Sequence, residues 1–360
     1  MKVLIACGGT GGHIFPGLSL AQELKTKEAV KDIILVGTNH PLERKIFNSS
    51  GSPYAFIPTA KLTVYNPIKY LLFLIKFTAA SFRSIWILMR FNPDIVVGFG
   101  GYASFPICIF AAMSGKCLFI HEQNYLPGLA NKLLSFFARG VAVSYKETKG
   151  FFKENAVFVG NPIRKKLLVN DKEKAIKSFG LSLAKFTILI MGGSQGSHRI
   201  NMLMHDLAGL ISDEDKRQVQ VIHIAGTRDY NILRDRYRDC GIEAKVYNFV
   251  DDIGVAYRAA DLIISRAGAT AIFEIAALGL PSILIPYRYA GGHQYYNAIA
   301  IEKEGGAITL DESELTPAIL KDKIFELKNN KARLNAISEC ARRFSVPDAA
   351  RRLADYILEI

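Results

Sequence analysis

Two hydrophobic rhythms alternate along the chain. Short apolar runs rich in Val, Ile and Leu stand between longer stretches where apolar residues return at helical spacing. In the first half the runs are Val3–Cys7, Ile33–Val36, Tyr54–Ile57, Ile95–Val97, Cys117–Ile120, Val141–Val143 and Val157–Val159. In the second they are Thr187–Met191, Val219–Ile224, Ala244–Tyr247, Leu262–Ile264 and Ser282–Ile285. Runs with little polar alternation belong to strands covered on both faces, and strands separated by helices pair in parallel. The chain therefore reads as α/β, with two doubly wound parallel-sheet (Rossmann-like) domains in tandem. The Pro/Gly punctuation of Gly160-Asn161-Pro162-Ile163-Arg164 places a boundary there, giving domains over 1–163 and 164–346. Pro347 opens a final amphipathic helix to Ile360, expected to pack back onto the first domain.

One stretch breaks the rhythm. Tyr65–Phe91 is rich in Leu, Ile and Phe and holds the single Trp86, yet Lys69, Lys76, Arg83 and Arg90 recur every seven residues. The uncharged runs between them are six residues long, too short to span a bilayer. On a helix the cations line one edge, and Phe73, Phe82 and Trp86 lie among the apolar remainder. A helix lying in a membrane interface has this pattern. So does a long core helix whose cations snorkel to water.

Composition sharpens the picture. Of 360 residues half are hydrophobic and 22% are charged, which excludes extended disorder. The net charge of +12 is lopsided: residues 1–165 hold 19 Lys/Arg against 8 Asp/Glu, and the remainder is nearly neutral. The first half thus suits a polyanionic partner, whether nucleic acid, anionic lipid or phosphorylated substrate. Cys7, Cys108, Cys117, Cys240 and Cys340 lack metal-ligand spacing and read as reduced core thiols. Met1–Ala6 runs straight into a strand, so no signal peptide is expected.

The chemistry gathers at strand ends. After the first strand comes Gly8-Gly9-Thr10-Gly11-Gly12-His13, then a helix. Glycines let backbone approach a ligand, and a helix N-terminus favours negative charge. Dinucleotide spacing fails at Ile14, and no acidic residue ends the second strand at Val36-Gly37-Thr38-Asn39, so NAD is disfavoured. His13 can act as a general base near neutral pH, or simply hydrogen-bond the loop backbone. The second domain opens alike, with Gly192-Gly193-Ser194-Gln195-Gly196-Ser197. Ser265–Thr270 leads a helix carrying Glu274, whose carboxylate can accept a ribose diol or merely complement the helix dipole. Gln294 and Asn297, three apart, can read sugar hydroxyls from one helix face. Asp213-Glu214-Asp215 sits in a solvated run and reads as a surface turn, so no metal site is expected.

Taken in order, Gly8–His13, Gly98–Ser104, His121-Glu122-Gln123-Asn124, Gly160–Arg164, Gly192–Gly196, Ser265–Ala269, Glu274 and the Gln294/Asn297 pair resemble the MurG family over nearly the whole chain. These are peptidoglycan N-acetylglucosaminyltransferases that convert lipid I into lipid II. The resemblance implies a GT-B fold, with both domains facing a cleft, and an inverting transfer. The 4-hydroxyl of N-acetylmuramoyl-(pentapeptide)-pyrophosphoryl-undecaprenol would attack the anomeric carbon of UDP-N-acetylglucosamine.

By the family pattern Ser194 and Arg164 meet the diphosphate, Glu274 the ribose, and backbone near Val250 the uracil. Ala269, Thr270, Ala271, Ile272 and Phe273 wrap the nucleotide, and Gln294 with Asn124 contacts the sugar. Thr10, Gly11 and Gly12 approach the donor from the other side. The 98–104 loop, with Gly100, Gly101, Tyr102 and Ser104, lies nearer the acceptor pyrophosphate. His13 is the first candidate for the base and Glu122 the second. Many relatives carry an acidic residue just before the His-Gln of the sugar-reading helix, where this chain has Gly291-Gly292. The partners implied are UDP-N-acetylglucosamine, the lipid-linked acceptor and an anionic membrane surface at the cytoplasmic face of a bacterial cell, with no nucleic acid. The rival readings are another lipid glycosyltransferase of the same fold and a soluble UDP-N-acetylglucosamine 2-epimerase. No cofactor is expected. Transfer should therefore persist in excess EDTA; activity lost in chelator and restored by magnesium or manganese would overturn the metal-free expectation.

Overall fold

Every apolar run of the first half is a strand: β1 (Lys2–Ala6), β2 (Asp32–Gly37), β3 (Tyr54–Phe56), β4 (Ile95–Gly98), β5 (Cys117–Glu122), β6 (Gly140–Val143) and β7 (Ala156–Phe158). The computed structural model describes residues 1–59, 67–152, 155–169, 171–193, 196–288 and 292–359, with backbone alone at 42 and 67–69. The chain forms two compact units, Met1–Arg164 with Val346–Ile360, and Lys165–Ser345. In the first unit the strands are all parallel, in the order β3-β2-β1-β4-β5-β6-β7. Val3 and Ile5 face one core and Leu4 and Ala6 the other, which is why β1 carries no polar residue after Lys2.

Helices α1 (Gly11–Leu24), α2 (Pro41–Ser49), α3 (Pro67–Phe91), α4 (Gly101–Met113) and α5 (Leu129–Leu134) join these strands. Helix α3 is the crossover from β3 to β4. Its Ala80, Ser84, Ile87 and Leu88 are buried, and Ile87 and Leu88 share a core with Val96, Ile107 and Ala111. By length and composition alone Tyr70–Phe91 suffices to cross a membrane, so the cation spacing does not exclude a span as the run lengths suggest. Its packing ties it to the sheet. The opposite face is apolar and bare, with Phe82 71% and Met89 78% exposed beside Leu71, Leu72, Ile75 and Trp86. The guanidiniums of Arg83 and Arg90 lie 4.3 and 5.4 Å from the Trp86 ring. Phe73 is half-buried and stacks on Phe77, so it belongs to the inward stripe rather than the bare one. The side chain of Lys69 lies outside the described residues.

The second unit repeats the plan with β8 (Phe186–Met191), β9 (Val219–Ile224), β10 (Ala244–Tyr247), β11 (Leu262–Ser265), β12 (Ser282–Leu284) and β13 (Ile308–Thr309). Their order is β10-β9-β8-β11-β12-β13, again parallel. Among the described residues of this unit only β13 escapes the sequence pattern, because a two-residue edge strand makes no apolar run. The connecting helices are α6 (Lys172–Ser178), α7 (His198–Ala208), α8 (Asp213–Gln218), α9 (Tyr230–Asp239), α10 (Ile253–Ala259), α11 (Ala269–Leu278), α12 (His293–Lys303), α13 (Pro317–Asn329) and α14 (Lys331–Phe344). The acidic string at 213–215 is the first turn of α8, capped by Ser212, where carboxylates suit the helix dipole, so it is a helix start and not a loop turn.

The last helix, α15 (Ala349–Leu358), belongs to the first unit. Leu353, Ala354 and Ile357 are fully buried in the same core as Ile14, Leu20 and Leu24 of α1. Asp355 pairs with Lys27 at 2.6 Å, and Tyr356 donates to the Asn155 carbonyl. All five cysteines are free thiols, but only Cys7 and Cys108 are buried; the other three are partly exposed, so the core reading holds for two of the five. Burial pushes the Cys108 thiol up to about 12.

Candidate active site

Parallel sheets of this order have a switch point, where consecutive connections leave to opposite faces and the loops beyond the strand ends open a crevice. In the first unit it lies between β1 and β4, where Ala6 pairs with Gly98. That pairing brings the Gly8–His13 loop beside the 98–104 loop although they are some ninety residues apart in sequence. Gly100 and Gly101 take φ of 81° and 76°, the left-handed region that side chains resist. A methyl built on Gly101 would stand 3.1 Å from His13 Nε2, and one on Gly9 3.9 Å from the Tyr102 hydroxyl. Tyr102 is exposed, and Thr10 at the α1 N-cap makes no side-chain capping bond. Gly11, Gly12 and His13 form the half-exposed first turn of α1. Ser104, by contrast, is buried and donates to the carbonyls of Gly100 and Gly101, so it shapes the loop and does not face an acceptor.

Two buried carboxylates hold these loops. Glu122 accepts from Asn124 N and Nδ2, Gly128 N and Asn131 Nδ2, at 2.8 to 3.2 Å. With four donors on it, this carboxylate is an anchor for the 122–131 loop and poorly placed to take a proton from a substrate. Glu43 of α2 accepts from Gly9 N, Thr38 N and the Thr38 hydroxyl at 2.6 to 2.7 Å. Glu43 thus braces the glycine loop from five residues downstream of Thr38, in the helix after the second strand. His13 itself is tied through Nδ1 to Gln123 Oε1 at 2.9 Å. Arg164 stacks over Phe15 of α1 at 4.1 Å.

The second unit has its switch point between β8 and β11, where Met191 pairs with Ser265. The Gly192–Ser197 loop leads into α7, with Ser197 as its N-cap. Ser194 lies outside the described residues, as do Tyr289–Gly291. A methyl on Gly196 would lie 2.2 Å from the Ala225 carbonyl, so this loop also presses backbone on backbone. An open pocket of about 700 Å³ includes Gly192, Ser197, Arg199, Arg266, Arg288 and Gln294 in its wall. Arg266, nearly buried, bonds the Ser197 hydroxyl at 2.9 Å and Glu312 at 2.7 Å. Behind the loop, Asn201 donates to the Ala225 carbonyl and to Asp229, and its Oδ1 meets His223. None of Glu43, Asn131, Asn201, Arg266 or Asp229 stands out by spacing; each acts through a loop it supports.

At the N-terminus of α11 the side chains divide. Ile272 and Phe273 are core, Phe273 stacking on Phe344 at 5.4 Å, so their side chains do not wrap a nucleotide. Ala269, Thr270 and Ala271 offer the turn of backbone that follows Gly268. Glu274 is buried, with the Tyr257 hydroxyl 3.5 Å from its Oε2. Val250 is half-buried in the loop before α10. Gln294 accepts from Tyr287 N. Asn297 is fully buried and donates to the Ala267 carbonyl, which removes it from sugar recognition and makes it a tie between α12 and the loop after β11.

Residues 3–143 match the glycosyltransferase family 28 N-terminal domain, and 187–353 its C-terminal domain. The UDP-N-acetylglucosamine–N-acetylmuramyl-(pentapeptide) pyrophosphoryl-undecaprenol N-acetylglucosamine transferases of Myxococcus xanthus and Thermodesulfovibrio yellowstonii are 38% and 40% identical to it. They align with 100% and 99% of this chain and 93% and 97% of their own. This chain belongs to the MurG family of glycosyltransferases. The crystal structure of Acinetobacter baumannii MurG superposes with a TM-score of 0.76 at 26% identity, over 100% of this chain and 99% of that one. A Neisseria meningitidis UDP-GlcNAc 2-epimerase shares the fold, with a TM-score of 0.74 over the whole of both chains, at only 14% identity. The MurG fold and the family sequence therefore point the same way, and the epimerase likeness is one of architecture.

Gly101 offers a direct test of how the two loops of this MurG family chain cooperate. Gly101→Ala puts a methyl against His13 Nε2 at a φ that disfavours it. Turnover should fall by about tenfold or more, the equivalent of ~1.4 kcal/mol in the barrier, while UDP affinity by calorimetry stays unchanged. Full turnover in this variant would show that nothing needs to reach His13 past Gly101.

Proposed function

We propose that the chain transfers N-acetylglucosamine from UDP-N-acetylglucosamine to the 4-hydroxyl of the muramoyl sugar of lipid I, with inversion, and so makes lipid II. The observation that carries this reading is the match over the full chain to transferases of that name. An alcohol is a poor nucleophile until its proton is taken. His13 takes that proton at Nε2, the ring nitrogen that faces Gly101. Direct displacement at the anomeric carbon inverts it and expels UDP. The growing charge on the diphosphate meets the N-terminus of α7, Ser194 and Arg164, so the step asks for no metal. Glu274 holds the ribose, backbone near Val250 and at Ala269–Ala271 holds the nucleotide, and Gln294 and Asn124 meet the sugar. Labelled UDP-N-acetylglucosamine should yield a labelled lipid product with lipid I, and His13→Ala should slow that transfer by ~100-fold or more with donor affinity little altered. Turnover near normal would remove His13 from the role, and conversion of the donor without lipid labelling would favour an epimerase.

The acceptor carries a pyrophosphate and a polyprenyl tail, and the first unit suits the anionic surface in which such a lipid sits. Its basic excess, the bare apolar face of α3 and the Arg83–Trp86–Arg90 stack support a peripheral attachment at the cytoplasmic face of the membrane. Each cation near an anionic surface adds about 1 kcal/mol. Replacing Lys69, Lys76, Arg83 and Arg90 with Gln should therefore weaken co-sedimentation with phosphatidylglycerol vesicles and spare transfer to a short, water-soluble acceptor analogue. Binding that neither the substitutions nor salt alters would defeat the interfacial role of α3.

A further inference from the structure

We propose that Gln123 and His121 are positioning residues that fix the tautomer of His13, with the proton on Nδ1 and the lone pair on Nε2. The inference rests on reading His13 as the base and extends it to how that base is made ready.

The chain of hydrogen bonds has only one consistent direction. The Gly160 carbonyl can only accept, so His121 Nε2, 2.9 Å away, carries a hydrogen. A neutral imidazole has one N–H, so His121 Nδ1 is an acceptor. Gln123 Nε2 lies 3.0 Å from it and 2.8 Å from the His121 carbonyl, a second atom that can only accept. Two independent acceptors thus orient the amide with its nitrogen toward His121. The amide oxygen is left facing His13 Nδ1 at 2.9 Å, and an oxygen of that kind accepts only. His13 Nδ1 must therefore hold the proton, and Nε2 is bare, turned toward Gly101.

The relay depends on His121 staying neutral. Its ring is fully buried beside Phe99, and that burial lowers its pKa to about 4. Gln123 is buried as well. The far end is pinned too, since Gly160 takes φ of 86° with Val346 packed where a side chain would be. An unconstrained neutral histidine prefers its proton on Nε2, the tautomer in which the nitrogen facing the acceptor has no lone pair to offer. The buried relay reverses that preference before any substrate arrives, and what would otherwise be a minor species becomes the resting state.

The test is ¹⁵N NMR of the full-length protein labelled at histidine, with the His13 signals assigned by their absence in His13→Ala. The wild-type spectrum should show His13 protonated at Nδ1 and bare at Nε2. In Gln123→Leu the signal should move toward the Nε2–H tautomer. The same variant should lose kcat about tenfold or more, with KM for UDP-N-acetylglucosamine held. His121→Phe keeps an aromatic ring against Phe99 but removes the Nδ1 acceptor that orients the Gln123 amide, and it should likewise release His13 toward the Nε2–H tautomer, which separates the relay from a general packing role. A wild-type His13 protonated at Nε2 would overturn the proposal whatever the variants do. If His13→Ala still turns over while the wild-type ring shows Nδ1–H, the assignment of the base fails and the relay stands.

Discussion

The pairing of β1 with β4 is the constraint from which the first unit's chemistry hangs. Parallel strands cannot be joined by a tight turn, so each must be followed by a helix that crosses the sheet. Helix α1 returns toward β2 on one side of β1, and α4 carries the chain from β4 to β5 on the other. The strand ends at Ala6 and Gly98 are thereby left side by side with no connection between them. Two glycine-bearing loops occupy that gap, and His13 reaches across it. The second unit obeys the same rule at β8 and β11, which is why both halves place their glycine turns at equivalent points although their loops differ in every other residue.

Loops with so little side chain need support from behind, and the support is ionic or amide in kind. Glu43 and Glu122 are acceptors buried under N–H groups, and in the second unit Asn201 ties the Ala225 carbonyl, against which Gly196 packs, to Asp229. A carboxylate with several N–H donors is stable in a dry place without a cation. The geometry of the backbone at the site is thus set by side chains buried behind it. This division explains why so many of the polar groups nearby are buried, and why their loss would act on rate before it acted on binding.

The fold was largely legible because buried parallel strands advertise themselves as apolar runs, and the glycine loops follow directly at their ends. What escaped was direction. Spacing placed Gln294 and Asn297 on one helix face, but the first turn of α12 aims Asn297 into the protein at Ala267. Ile272 and Phe273 sit in the expected segment, yet the helical turn that exposes the backbone at Ala269 sends them to the core. Ser104 shares a loop with Tyr102 and folds back on its own backbone. Glu43 was invisible for the opposite reason, since nothing in its neighbourhood marks it until the end of β2 is seen to lie under Gly9. A pattern along a chain reports which face is apolar; it does not report where a polar side chain points.

The return of α15 has a consequence for the order in which the molecule can be made. The core around α1 contains Leu353, Ala354 and Ile357, which follow the whole of the second unit in sequence. During synthesis the first 164 residues emerge with that cavity unfilled, while Lys165–Ser345 has all of its own core as soon as it leaves the ribosome. The half made first is therefore the half finished last. Deleting α15 would open the unit that carries His13, not the unit to which that helix is adjacent in sequence.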